Sequence, residues 1–141
     1  MIDADFYQAV ASKTDLSRSD LSNAIFISTR LSSVNAMQAN LTNTKFYRAG
    51  MSSVKFTGAD LTKSSFREAI LYGCDFAGTS LVRTNFRDAS LIGCNFDRAS
   101  LTNTSFRDAT LTETSFLEVS WDPAHPPLWP SGYAPPPNSE F

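Results

Sequence analysis

The side chains able to do chemistry are few, and their spacing argues against a catalytic centre. His125 is the single histidine, and it lies in a proline-rich tail. No Ser-His-Asp or Cys-His arrangement is expected around it, and the chain holds neither a Walker-type GxxxxGKS/T loop nor GxGxxG. Cys74 and Cys94 lack the CxxC spacing of a metal site and are too few for a disulfide framework. Carboxylates fall singly along the chain. No enzyme activity, cofactor or metal is therefore expected. The cysteines are separated by 20 residues, and so are Arg67, Arg87 and Arg107, which are followed by Glu68, Asp88 and Asp108. Such spacing calls for elements that return the chain to the same place every 20 residues.

Those elements are written as a repeat of five. In one register, 22 slots run from Leu16 to Trp121 without an insertion, and they hold ten Leu, nine Phe, Met51, Ala36 and Trp121. Two residues before each of these centres stands only Ala, Ser, Thr, Cys or Val. Extended backbone alternates faces with period two, so both slots point inward. The preceding slot stays small because it sits where the chain turns a corner. Five residues that bury two side chains and then turn make one side of a coil. One coil cannot bury its own core, so coils stack into a solenoid and pair their backbones.

Phe and Leu alternate, a period of ten that fits four units per coil but not three; two units would leave no room for a core. A 20-residue coil stacks each residue type in its own column. Phe26, Phe46, Phe66, Phe86 and Phe106 form one, and Phe56, Phe76, Phe96 and Phe116 the column opposite. Leu21, Leu41, Leu61, Leu81, Leu101 and Trp121 form the third; Leu31, Met51, Leu71, Leu91 and Leu111 form the fourth.

This pattern resembles the pentapeptide-repeat family, whose consensus is A(D/N)LXX. Units such as ADLTK at 59–63 match it closely, and the resemblance covers at least residues 14–121. It implies an all-β fold, the right-handed quadrilateral parallel β-helix. About six coils rising about 4.8 Å each would give a rod near 30 Å long.

Three parts follow: an N-terminal cap over 1–13, the β-helix over 14–121, and a proline-rich cap and flexible tail over 122–141. At the N-terminus the five-residue register continues back through Phe6, or Asp3 or Asp5 caps a short helix that faces the first coil with Phe6, Ala9 and Val10. The helix is the preferred reading, and it would look like several family members. At the C-terminus all seven prolines fall within 122–141 and stop the paired stack. Trp121, Leu128, Trp129 and Tyr133 are expected to cover the last rung. WPSGY at 129–133 resembles the Trp-Pro-x-Gly-aromatic tail of many family members, the alternative being a proline-rich ligand for an SH3-like or WW-like domain. Residues 134–141 read as disordered.

The surface offers two candidates. Arg67, Arg87 and Arg107 make either a solvated ladder of crossed ion pairs or a recognition strip. Tyr72 and Ile92 occupy slots that should face water, beside Gly73 and Gly93, with Ala77, Gly78 and Val82 on adjoining sides. They read as a flat patch able to bind a partner or a second copy, through a solenoid face or an end. Cys74 and Cys94 lie one above the other as core filler or, if oxidised, within disulfide range.

Charge narrows the function. Residues 1–121 carry 12 acids and 12 bases, which gives no basic footprint for nucleic acid. No apolar run is long enough to span a membrane and no signal peptide is evident, so a cytoplasmic protein is expected. The expected function is a non-catalytic interaction or scaffold module with an unidentified protein partner. The resemblance implies an alternative, since some family members mimic DNA, bind DNA gyrase or topoisomerase IV, and protect against quinolones or toxins. Their rods are strongly negative, are commonly joined by C-terminal helices and in some cases carry a projecting loop. This rod is neutral, its tail is rich in proline and its register is uninterrupted. The resemblance also admits an enzyme modifier or assembly factor of the kind suspected for bacterial, especially cyanobacterial, members.

Overall fold

The computed structural model describes residues 1–139; Glu140 and Phe141 lie outside the described residues. Backbone pairing follows the 20-residue spacing as far as the bridge of Ser100 with Ser120. Six three-residue strands recur once per coil: β1 (Val10–Ser12), β2 (Arg30–Ser32), β3 (Gly50–Ser52), β4 (Ile70–Tyr72), β5 (Ser90–Ile92) and β6 (Thr110–Thr112). They form one parallel sheet in sequence order, in strict 20-residue register. Three further ladders of single bridges run along the rod, through Asp5 and Ile25, Asp15 and Asn35, and Asp20 and Asn40. Four ladders make a four-sided parallel β-helix. Six strands enclose five complete turns, with partial turns beyond them at both ends.

The local reason for a corner every fifth residue is a left-handed backbone. From Asp3 to Glu118 every fifth residue has positive φ, between 51° and 62° at the non-glycine positions. On three of the four sides the next small residue donates its N–H back to the centre carbonyl, as Ala69 does to Phe66 at 3.0 Å. This is the signature of a type II turn. Left-handed backbone is costly for side chains branched at Cβ. The slot accordingly holds Gly, Asn, Asp, Ser, Arg, Lys, Gln and Glu, and no Val, Ile, Thr or aromatic residue.

The polar consensus residues close the corners. Asp20, Asn40 and Asp60 each accept a bond from the backbone N–H two residues on, at 3.0 to 3.1 Å. Bonds from the Ser17 and Ser22 backbones hold the Asp15 and Asp20 carboxyls below the usual carboxylate range. Threonines in the small slot stay satisfied though buried: Thr29 and Thr79 donate to the carbonyls of Phe26 and Phe76 at 2.7 Å.

The core is a pair of aromatic columns flanked by leucines. Phe6, Phe26, Phe46, Phe66, Phe86 and Phe106 stack at 4.6 to 5.2 Å between ring centroids. Phe56, Phe76, Phe96 and Phe116 stack likewise and meet the first column edge-on at 5.4 to 6.0 Å. Offset stacks and edge-to-face contacts are the arrangements that ring quadrupoles favour.

Both ends differ from expectation. No helix is present among the described residues, and none is therefore long and apolar enough to cross a membrane. The N-terminal segment continues the repeat instead: Phe6 stacks on Phe26, Ala11 pairs with Leu31, and Val10, which a helix would bury, is 73% exposed. The nearest coil supplies partners for the extended backbone, such as the Ile25 carbonyl that accepts from Phe6 N–H at 2.7 Å. An isolated short helix has no such partners and is marginal by itself.

At the other end the stack outlasts the prolines. Leu128 bridges Ser105, accepts from Phe106 N–H at 2.7 Å and donates to Thr104 at 2.9 Å. Trp129 thereby takes the place of the next phenylalanine, 5.2 Å above Phe106, and Tyr133 stacks on Trp129 at 5.4 Å. Leu128 caps with its backbone, for its side chain is 49% exposed while Pro127 is buried. The segment read as disordered is tied down as far as residue 139. Asn138 exchanges hydrogen bonds with the Trp121 backbone, and Ser139 bonds the Val119 and Glu118 carbonyls.

Candidate interaction face

One side of the rod differs from the other three. Between the centres of β1 to β6 and the small residues after them, the corner-closing bond is missing, so the backbone stays extended through three residues per coil. Outward positions there form straight rows that the corners do not interrupt. The row opening the strands is Val10, Arg30, Gly50, Ile70, Ser90 and Thr110; the row closing them is Ser12, Ser32, Ser52, Tyr72, Ile92 and Thr112. Arg30 is the one charged member of the twelve.

Tyr72 and Ile92 are register partners on adjacent strands, so the structure brings this pair together. Tyr72 and Ile70 are each 62% exposed. The sequence reading missed Ile70 and Val10, although the slot before each centre points outward by the same alternation. A shallow open trough of about 560 Å³ runs beside Ile70 across Gly50, Met51 and Ser52 towards β1. Val82 does not belong to this surface. It follows Leu81, ten residues from Leu71 in a 20-residue coil, and therefore lies on the opposite side of the rod. Ala77 and Gly78 lie on the side between.

The arginine strip is one corner away. Arg67, Arg87 and Arg107 are exposed, and among the described residues only Arg87 of the three makes ion pairs, at 3.5 Å to Asp88 and 3.6 Å to Asp108. The closer pairs are Arg48 with Glu68 and Arg98 with Glu118, both at 2.8 Å. The Arg48 contact holds the Glu68 carboxyl below its usual range. Such exposed pairs add little stability.

Beneath the face lie the two thiols, buried and free. Cys74 contacts the Tyr72 carbonyl and Cys94 those of Leu71 and Ile92, each at 3.7 Å. The neighbouring Cys94 and then burial push the Cys74 thiol well above its ordinary range, so it stays protonated. His125 lies at the far end of the rod, with Nδ1 2.8 Å from Asp122 Oδ2, and both are exposed. Among the described residues no three His, Cys, Asp or Glu side chains are grouped to hold a metal ion.

Comparisons with known proteins agree with this architecture. A family model of pentapeptide repeats matches residues 1–43 and 28–62, and one of a pentapeptide repeat region matches residues 64–125. Among solved structures, the chain is similar to a pentapeptide repeat protein (Rfr23) from the cyanobacterium Cyanothece, with TM-score 0.61, 19% identity, and coverage of 91% of this chain and 89% of that one. It also matches QnrB1, a plasmid-mediated fluoroquinolone resistance protein, with TM-score 0.35, 16% identity and coverage of 86% and 70%. HetL, involved in heterocyst differentiation regulation in the cyanobacterium Nostoc, matches with TM-score 0.29, 24% identity and coverage of 83% and 70%. The first of these likenesses is one of fold alone. No curated protein matches the chain.

Proposed function

Because the chain belongs to the pentapeptide-repeat family, we propose that it is a non-catalytic interaction module, a rigid rod that engages a protein partner through the face of β1 to β6. The observation that carries this reading is the face itself. It is the one side with continuous strands, it has one charge among its twelve outward residues, and it exposes Val10, Ile70 and Tyr72. Apolar side chains held in rows about 4.8 Å apart suit a flat partner and cannot close around a small substrate. A rod of 12 acids and 12 bases lacks the strongly negative surface that a DNA mimic needs, and its row of Glu68, Asp88 and Asp108 runs beside Arg67, Arg87 and Arg107. In the cytoplasm, where this reading places the protein, both thiols stay reduced.

The Tyr72→Arg/Ile92→Arg double variant tests it. Both side chains point away from the core, so the melting temperature should stay within a few degrees of the parent. Proteins captured by the parent rod should be lost. Retention of the same partners would remove the strand face from consideration.

A further inference from the structure

The outward residues of the strand face change size in a way that reverses about its midpoint. Gly50 of β3 neighbours Ile70 of β4, and Ser52 neighbours Tyr72. Ser32 of β2 lies as far from the midpoint on one side as Ile92 of β5 does on the other. Charge follows the same symmetry. The row just after the strands runs Lys13, Ser33, Ser53, Gly73, Gly93 and Glu113, so its single cation and single anion stand at opposite ends.

We infer that a second copy of this chain occupies the face. The two rods pack antiparallel about a two-fold axis that lies in the interface along the strand direction, between β3 and β4. The pairing rests on the strand face being the contact surface and names what covers it. The operator sets β3 on β4, β2 on β5 and β1 on β6 at equal positions along the strands. Ile70 then fills the space over the second copy's Gly50, Tyr72 lies over its Ser52, and Ile92 over its Ser32. Lys13 of each copy meets Glu113 of the other, so the contact is isologous and closed. Aligned sheets stack about 10 Å apart with side chains interdigitated, which requires a small residue opposite each large one.

Gly50 supports this independently of the symmetry. The other glycines of the rod, at 58, 73, 78 and 93, occupy left-handed corner positions. Gly50 opens β3 without positive φ, paired on both sides in the sheet, and nothing lies within 4 Å of where its Cβ would be. Neither backbone nor packing within the chain requires glycine there, and glycine weakens a strand. One reason for a strand glycine is the close approach of another group, and the unbroken register of β3 with β2 and β4 leaves no bulge to account for it. A two-fold along the rod axis fails the same test. It sets each coil on itself, large Ile70 against large Tyr72, and leaves Gly50 over Ser52 with a gap. The face is about 24 Å long at the usual strand spacing. Two such faces remove roughly 1,000 Å² from water, at the lower limit of a specific interface, which is the size of a weak contact.

Sedimentation of the full chain across the micromolar range tests the pairing. The mass should rise from 15.5 kDa to twice that value. Gly50→Tyr should remain monomeric with an unchanged or higher melting temperature, because its Cβ meets open space. Lys13→Glu should weaken the dimer several-fold, and adding Glu113→Lys to it should restore the dimer, since the swapped charges meet again. A parent chain monomeric at every concentration overturns the pairing, as does a dimer indifferent to Gly50→Tyr or not restored by the double charge swap. If the parent is monomeric but Tyr72→Arg/Ile92→Arg still loses a captured partner, self-pairing fails and the contact face stands.

Discussion

Phe86→Ala should lower the stability of the rod by about 3–5 kcal/mol, the usual result of truncating a buried phenylalanine, and Phe86→Asp should not fold. Phe86 is fully buried at the middle of the stack. Its ring lies 4.8 Å from Phe66 and 5.2 Å from Phe106 in its own column, and meets Phe76 and Phe96 edge-on at 5.7 and 5.5 Å. Deleting it removes four aromatic contacts and leaves a cavity that paired backbones above and below prevent from collapsing. A carboxylate there would face rings and leucines without a hydrogen-bond donor, a larger penalty than the cavity. Phe6, half-buried with one stacked neighbour, should tolerate alanine at a smaller cost. Chemical denaturation of the three variants measures this order. A Phe86→Ala midpoint near that of the parent would contradict a core built from these columns.

The second large effect is at the C-terminal end. Trp129→Ala should cost about 3 kcal/mol, at the low end for a truncated tryptophan because the ring is half-buried. Trp129 stacks on Phe106 at 5.2 Å, meets Phe116 edge-on at 5.1 Å and carries Tyr133 at 5.4 Å. Without it the last aromatic rung opens to water, and a solenoid with an open apolar end associates through that end. The variant should therefore bind a hydrophobic dye and aggregate on heating below the parent's transition, whereas Trp129→Phe should keep most of the stability. A Trp129→Ala chain that melts with the parent and binds no dye would show that the tail does not cap.

What the sequence disclosed depends on how far each feature reaches along the chain. The columns were legible because 22 units impose one size rule on the centre and another on the slot two before it. Register is local, so Phe86 over Phe66 follows from counting. The left-handed corner slot was equally legible in its lack of β-branched residues, but that signal is an exclusion and was missed. The N-terminus misled because Phe6, Ala9 and Val10 satisfy helix spacing as well as the five-residue register. The choice is made by the Ile25 carbonyl that receives Phe6 N–H, a partner about twenty residues away. The tail misled differently. Its prolines lack donors, yet Leu128, Asn138 and Ser139 supply enough bonds to fix it on the last coil. Val82 was set near Tyr72 by closeness in sequence, which a four-sided coil converts into opposite faces.

The claim that partners meet the rod on the β1 to β6 face can be tested without knowing any partner. Hydroxyl-radical footprinting would compare the full chain dilute and purified with the same chain in a concentrated extract of its host cells. Ile70 and Tyr72 on the face, Tyr7 on one neighbouring side and Leu117 on the other are similarly exposed, at 57% to 68%. Oxidation of Ile70 and Tyr72 should fall several-fold in the extract while Tyr7 and Leu117 stay unchanged. Equal oxidation at all four, or protection of Tyr7 or Leu117 instead, would contradict the assignment of the face.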